Sequence, residues 1–153
     1  MSTASTDFGE LWDAYVVAAA SAPNEDSLKH PLQTLVEGVG QLYGIPITTD
    51  TEADGVDGAR PDIAIMRTDG AQPELLGWVE LKKLYKRLPG LHGYTKNGEG
   101  QVRGWDINAG DFRDGSAPTK HDTEQWEVLG ELPNLLYCNG LGLARYESGQ
   151  LVD

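Results

Sequence analysis

Residues 62–67 and 75–84 constrain the fold of this chain more than any other feature. Each run reads as a short strand, and Asp69-Gly70 with Pro73 marks a turn between them. Side chains alternate between the two faces of a strand. Asp62, Ala64 and Met66 therefore share one face of the first strand. Trp78, Glu80 and Lys82 share one face of the second, with Leu81 on the other. The pair places two carboxylates and one ammonium at the rim of a single hairpin.

That trio suits metal-assisted cleavage of a phosphodiester. Carboxylates hold a hard divalent cation, and a lysine offsets charge on the phosphorane or orients the attacking water. Asp62 follows Pro61 at the start of an otherwise apolar strand, where it is either a metal ligand or an aspartate satisfied by turn amides. Glu80 lies among Trp78, Val79 and Leu81, and buried carboxylates are rare unless paired or metal-bound. Its plainer reading is a water-facing edge residue paired with Lys82. Lys82 follows one strand step, ~6.6 Å, beyond Glu80 on the same face. The alternative for Lys82 is a surface lysine opening a basic run. Lys83, its neighbour, falls on the opposite face by parity.

The rest of the chain predicts helices around this hairpin. Phe8, Leu11, Trp12, Tyr15, Val16 and Ala19 recur at helical spacing, with Thr6 as the expected cap. A second helix is expected from Ser27 or Pro31 to Tyr43, with Gly44 as its stop. A short strand is expected at 45–49. Residues 85–118 show no sustained period and many glycines, and read as a long insertion loop. A third helix is expected at 122–131, with Trp126 and Leu129 facing inward. Strands at 134–138 and 141–146 follow, joined at Asn139-Gly140, a two-residue hairpin signal. The pattern predicts an α/β domain, a mixed β-sheet flanked by α-helices.

The length of 153 residues fits one domain. Residues 1–26 form its N-terminal helix and linker, and 27–150 its core. The single cysteine, Cys138, excludes an internal disulfide and reads as a small buried hydrophobe. No apolar run approaches the ~18 residues of a membrane span, and no basic segment leads into an apolar one at the N-terminus. The expected setting is cytoplasmic. The net charge of −12 argues against simple nucleic-acid binding, which depends on cationic contacts to phosphate. Yet eight of the twelve basic residues lie between Lys82 and Lys120 against only four acids, so that stretch carries +4 and the remainder −16. Either a basic strip begins at the motif lysine, or this is a solvated loop of mixed charge.

Pro61-Asp62 followed by Glu80-Leu81-Lys82 resembles the motif of the PD-(D/E)xK nuclease superfamily. The flanks Gly58-Ala59-Arg60-Pro61-Asp62-Ile63-Ala64 and Gly77-Trp78-Val79-Glu80-Leu81-Lys82 resemble its two motif strands. His121-Asp122-Thr123-Glu124-Gln125-Trp126 and the run from Leu132 to Gly140 are similar to the nuclease region ahead of adenine methyltransferase modules in single-chain restriction-modification enzymes. The resemblance covers residues 28 to 150 and implies a restriction-endonuclease-like core. It implies a Mg²⁺-dependent endonuclease acting on double-stranded DNA in restriction or phage defence, with Mn²⁺ able to substitute. Asp62 and Glu80 are then the metal ligands, joined by the Leu81 carbonyl and by Glu37 on the preceding helix, and Lys82 stabilises charge. Glu37 also belongs to an ordinary polar stripe with Thr34 and Gln41.

Gln125, on the helix after the motif, would orient water or touch the scissile strand. Asp122-x-x-Gln125 is equally a capping box. Lys120, His121 and Arg60 are candidate phosphate contacts, Arg60 alternatively bracing Asp62. The three histidines lack metal-ligand spacing, and no phosphate loop, nucleophile elbow or dinucleotide fingerprint occurs. The resemblance further implies a methyltransferase or target-recognition partner, in cis as part of a longer chain or in trans, and dimerisation as a route to double-strand cleavage. Two other classes stay open. One is a DNA- or partner-binding module on a degenerate nuclease core, and the other is an acidic inhibitor that mimics DNA.

Overall fold

A computed structural model describes residues 7–51, 53, 60–83, 86, 88–89, 95–96, 102–103, 119–140 and 142–152. Helix α1 (Phe8–Ala20) starts at Asp7, whose side chain accepts the Glu10 N–H at 2.9 Å. Asp7, not Thr6, is therefore the cap. A single 3₁₀ turn, Asp26–Leu28, runs into α2 (Lys29–Leu42). Pro31 occupies the first turn of α2, where its missing N–H leaves no intrahelical bond unmade. Beyond the helix Gly44 takes φ +69°, a left-handed conformation that glycine adopts without strain.

The sheet grows from the expected hairpin. Strand β2 (Ile63–Arg67) pairs antiparallel with β3 (Glu74–Leu81), Ile63 facing Val79 and Ala64 facing Trp78. Strand β1 (Ile47–Asp50) lines the outer side of β2. On its other side β3 pairs in parallel with β6 (Leu135–Cys138), which pairs antiparallel with β7 (Leu143–Glu147). The final strand, β8 (Gln150–Leu151), is an addition to the expected set. It returns through Ser148 and Gly149, both at positive φ, as a tight two-residue hairpin demands. The order is β1-β2-β3-β6-β7-β8, a mixed sheet as expected. Two short strands, β4 (Thr95–Lys96) and β5 (Val102–Arg103), pair separately within the stretch read as a loop. Lys86, Leu88 and Pro89 are also described, and the remainder of that stretch, including Arg87, His92 and Arg113, lies outside the described residues.

Parallel neighbours need a crossover, and α3 (Lys120–Leu129) lies on the path from β3 to β6. At the start of that pair the Trp78 N–H donates to the Asn134 carbonyl at 3.1 Å. A Cβ on Gly77 would meet the same carbonyl at 3.0 Å, so the close approach favours glycine. The turn after β6 differs from expectation. Asn139 donates its N–H to the Gly142 carbonyl at 3.1 Å, so these two residues close the turn, and Asn139-Gly140 is not its central pair.

Strand alternation divides the core in two. Ala64, Trp78, Leu135, Tyr137 and Tyr146 face Trp126 and Leu129 of α3. Ile63, Val79, Leu81 and Cys138 face Tyr15, Ala19, Leu32 and Leu35 of α1 and α2. The sheet is thus sandwiched, and each fully buried large apolar side chain contributes about 2 kcal/mol. Trp126, Tyr137 and Tyr146 pack edge-on, with centroids 4.8–5.7 Å apart. No helix among the described residues is long and apolar enough to cross a membrane.

Candidate active site

Strand β2 stops at Ile63, while β3 runs two residues past Val79, the residue facing it. The Leu81 N–H beyond that point finds its acceptor in a side chain: Oδ2 of Asp62, at 2.8 Å. The aspartate therefore caps the ladder and is fixed beside the end of β3. Its other oxygen, Oδ1, lies 3.8 Å from the Lys29 ammonium, which is itself tied to Asp26 at 2.7 Å.

Glu80 and Lys82 project from β3 toward the α3 layer, as parity requires, and both are buried, at 3% and 5% exposure. The Lys82 ammonium donates to Glu80 Oε1 at 3.0 Å and to Gln125 Oε1 at 2.5 Å. It lies 3.3 Å from Asp122 Oδ1 and 5.8 Å from the centre of the Tyr137 ring. Asp122 Oδ2 in turn receives the Lys86 ammonium at 2.7 Å. The result is a buried chain of alternating charge, Glu80–Lys82–Asp122–Lys86, with Gln125 against its second member.

Burial dominates the electrostatics. It pushes the Glu80 carboxyl up to about 7; Lys82 pulls it back, and the nearby charge of Asp62 adds to the rise. Burial alone would lower Lys82, but the Glu80 and Asp122 carboxylates outweigh it and hold the ammonium above its ordinary value. Burial likewise opposes ionised Asp122, yet the Lys86 ammonium and the Thr119 amide and hydroxyl keep it well below the usual carboxylate range.

One atom in this arrangement stands apart. Oε2 of Glu80 is buried without a hydrogen-bond partner. Gln125 is near enough to favour the ionised carboxyl, but no donor reaches Oε2 at bonding distance. Orphaned buried polar atoms are uncommon and costly. A hard cation accepts oxygen ligands of this kind, so Glu80, with the charge of Asp62 near it, offers the oxygen chemistry that a divalent ion would take.

The structure thus brings Glu80, Lys82 and Gln125 into contact and holds Asp62 at the adjoining strand end, while Glu37 is engaged elsewhere. Glu37 Oε1 accepts the Thr49 N–H at 3.0 Å and the Thr49 hydroxyl at 2.7 Å, tying α2 to edge strand β1. Among the described residues no three His, Cys, Asp or Glu side chains converge as a metal cage, and the carboxylate of the expected third acid, Glu37, is bonded to Thr49 instead. The helix cap also differs. Thr119 is the N-cap of α3, and its partner in the capping box is Asp122, whose Oδ2 accepts the Thr119 N–H at 2.7 Å. That frees Gln125 for Lys82.

Asp122 and Lys86 are the participants that sequence reading missed. The i, i+3 spacing of Asp122 and Gln125 on one helix face was the available signal. Lys82 and Lys86 point inward, so neither contributes to an exposed basic strip, whereas Lys83, Lys120, His121 and Arg60 are exposed. Lys120 lies 3.4 Å from Glu124. A cavity of about 250 Å³ opens elsewhere on the sheet, between Ile65, Gly77, Leu136 and Arg145, and includes none of the candidate residues. No family model, curated protein or solved structure matches this chain.

Proposed function

We propose that the chain is a divalent-cation-dependent DNA endonuclease domain of the PD-(D/E)xK type, with a restriction-endonuclease-like core. The observation that carries this reading is the buried, unpartnered Oε2 of Glu80, on a carboxyl whose other oxygen is held by Lys82 and whose neighbour is Asp62. Asp62 and Glu80 are the residues to hold Mg²⁺, or Mn²⁺ in its place. The ion, when bound, supplies a more acidic water and a polarised phosphate oxygen. Lys82 turns its ammonium from Glu80 toward the phosphate and stabilises negative charge as the bond to the 3′ oxygen breaks. Gln125 steadies the ammonium from the side of α3. Burial strengthens each of these interactions by excluding water.

The substrate class follows from the resemblance in the motif strands, as does a role in restriction. The net charge of −12 supports a division of labour in which most DNA affinity comes from a methyltransferase or target-recognition partner. Plasmid nicking with Mg²⁺ or Mn²⁺ tests the reading. Wild type nicks and folded K82A does not; equal nicking by the two proteins contradicts it.

One observation favours a second reading, a binding module on a degenerate core. Glu80, Gln125 and Asp122 surround the Lys82 ammonium, which leaves it no proton directed at a phosphate in this state. Such a module shifts labelled duplex in a mobility assay yet leaves it intact with either metal.

A further inference from the structure

The capping box of α3 is built in an uncommon way. Its N3 residue is Asp122, one methylene shorter than the Glu or Gln of the usual box. A single oxygen of that carboxylate, Oδ2, does all the capping. It takes the Thr119 N–H at 2.7 Å, the Thr119 hydroxyl at 2.9 Å and the Lys86 ammonium at 2.7 Å. Three donors on one oxygen fix the carboxylate plane. The second oxygen, Oδ1, is thereby aimed at the Lys82 ammonium, 3.3 Å away. Asp122 is 7% exposed, so water competes little for it.

The alternation of charge gives this geometry a purpose. A lysine held only by Glu80 would lose its sole counter-ion on turning toward a phosphate. A buried ammonium without a partner is strongly unfavourable. With Asp122 and Gln125 on its other side, Lys82 can release Glu80 and remain paired. Lys86 neutralises the charge of Asp122, so Asp122 does not hold Lys82 too tightly to let it move.

We infer that Asp122 is the positioning residue for Lys82, a rigid mount built from the helix cap that keeps the ammonium aligned while Glu80 is released. The inference rests on the nuclease reading for its catalytic consequence, but the mount itself does not. Lys86 is the counter-ion of the mount, and Thr119 its anchor.

The test separates the cap from the mount. D122E restores the common capping-box residue, so α3 keeps its cap, while the added methylene moves the second oxygen off Lys82. D122N keeps the shape and removes the charge. Both are compared with wild type for thermal unfolding, for kcat and KM on duplex DNA with Mg²⁺, and for acetylation of Lys82 by an N-hydroxysuccinimide ester. Exposed Lys83 serves as the internal reference in peptide mass spectra. The expected result is a D122E protein that melts like wild type and loses kcat by about tenfold to a hundredfold, as small misplacements do. Its KM stays within about twofold, and Lys82, protected in wild type, becomes labelled. Unchanged kcat in folded D122E, or unchanged protection of Lys82 in both variants, overturns the inference. If wild type cuts no DNA with either metal, the nuclease reading fails and the labelling alone decides the mount. If D122N unfolds, D122E carries the test.

Discussion

Glu80 gives one carboxylate oxygen to the Lys82 ammonium at 3.0 Å and keeps the other buried without a donor. The two side chains share a face because Glu80 lies near the end of β3 and Lys82, two residues on, continues its extended run just past Leu81, and the α3 layer closes over both. This asymmetry makes the carboxyl sensitive to protons and to cations alike.

The first consequence concerns pH. In the folded protein Glu80 titrates near 7, against an ordinary value of 4.5. Between those values the folded state holds more protons than the unfolded chain, so stability falls as pH rises through the window. Asp122 acts in the opposite sense: its carboxyl is held below its ordinary 3.8, so its contribution is present above that value and lost in stronger acid. Thermal unfolding should therefore peak at about pH 4, between the two ordinary values, and decline toward pH 8, by a free energy of up to about 3 kcal/mol. E80Q flattens the decline. D62N moves it to lower pH, because the Asp62 charge helps to raise Glu80. A wild-type melting temperature that climbs from pH 5 to pH 8 contradicts this account of the carboxyl.

Removing the ammonium should be costly in a pH-dependent way. K82M leaves the buried carboxylates of Glu80 and Asp122 without the cation between them. Breaking a buried pair from one side costs about 3–5 kcal/mol. Glu80 escapes part of that cost by taking up a proton, so urea unfolding should show a larger loss at pH 8 than at pH 6. The double variant E80Q/K82M should recover part of the loss. Equal losses at both pH values speak against coupling between the two groups.

Glu37 offers a contrast. Its carboxylate is committed to the Thr49 amide and hydroxyl, so E37A should lower stability by about 1 kcal/mol. Nicking activity should stay within about twofold of wild type, a change too small for loss of a group acting in the transition state. A loss of activity comparable to that of D62N would return Glu37 to the site.

The sequence carried this much because the decisive relationships are local or periodic. Parity alone put Glu80 and Lys82 on one face, and helical spacing put Trp126 and Leu129 inward, where both are buried. What stayed hidden depends on tertiary contacts. Nothing local announces that β6 lies parallel to β3, since most of the stretch between them, residues 85–118, shows no sustained period. Without that pairing the position of α3 over Lys82 cannot be inferred. Asp122 looked like an N-cap because Asp is a common one, but Thr119 is the cap and Asp122 its N3 partner. Glu37 looked available because its partner, Thr49, lies on a strand that pairs by tertiary contact. Strand β8 escaped notice because two residues carry no period, although Ser148-Gly149 was a readable turn.

Titration of Mn²⁺ into wild type, D62N and E80Q by calorimetry tests the central claim most directly. The account predicts binding to wild type, weakened by about tenfold or more in each variant while both remain folded, since each loses one of two charged ligands. Affinity in folded D62N and E80Q equal to that of wild type would contradict it.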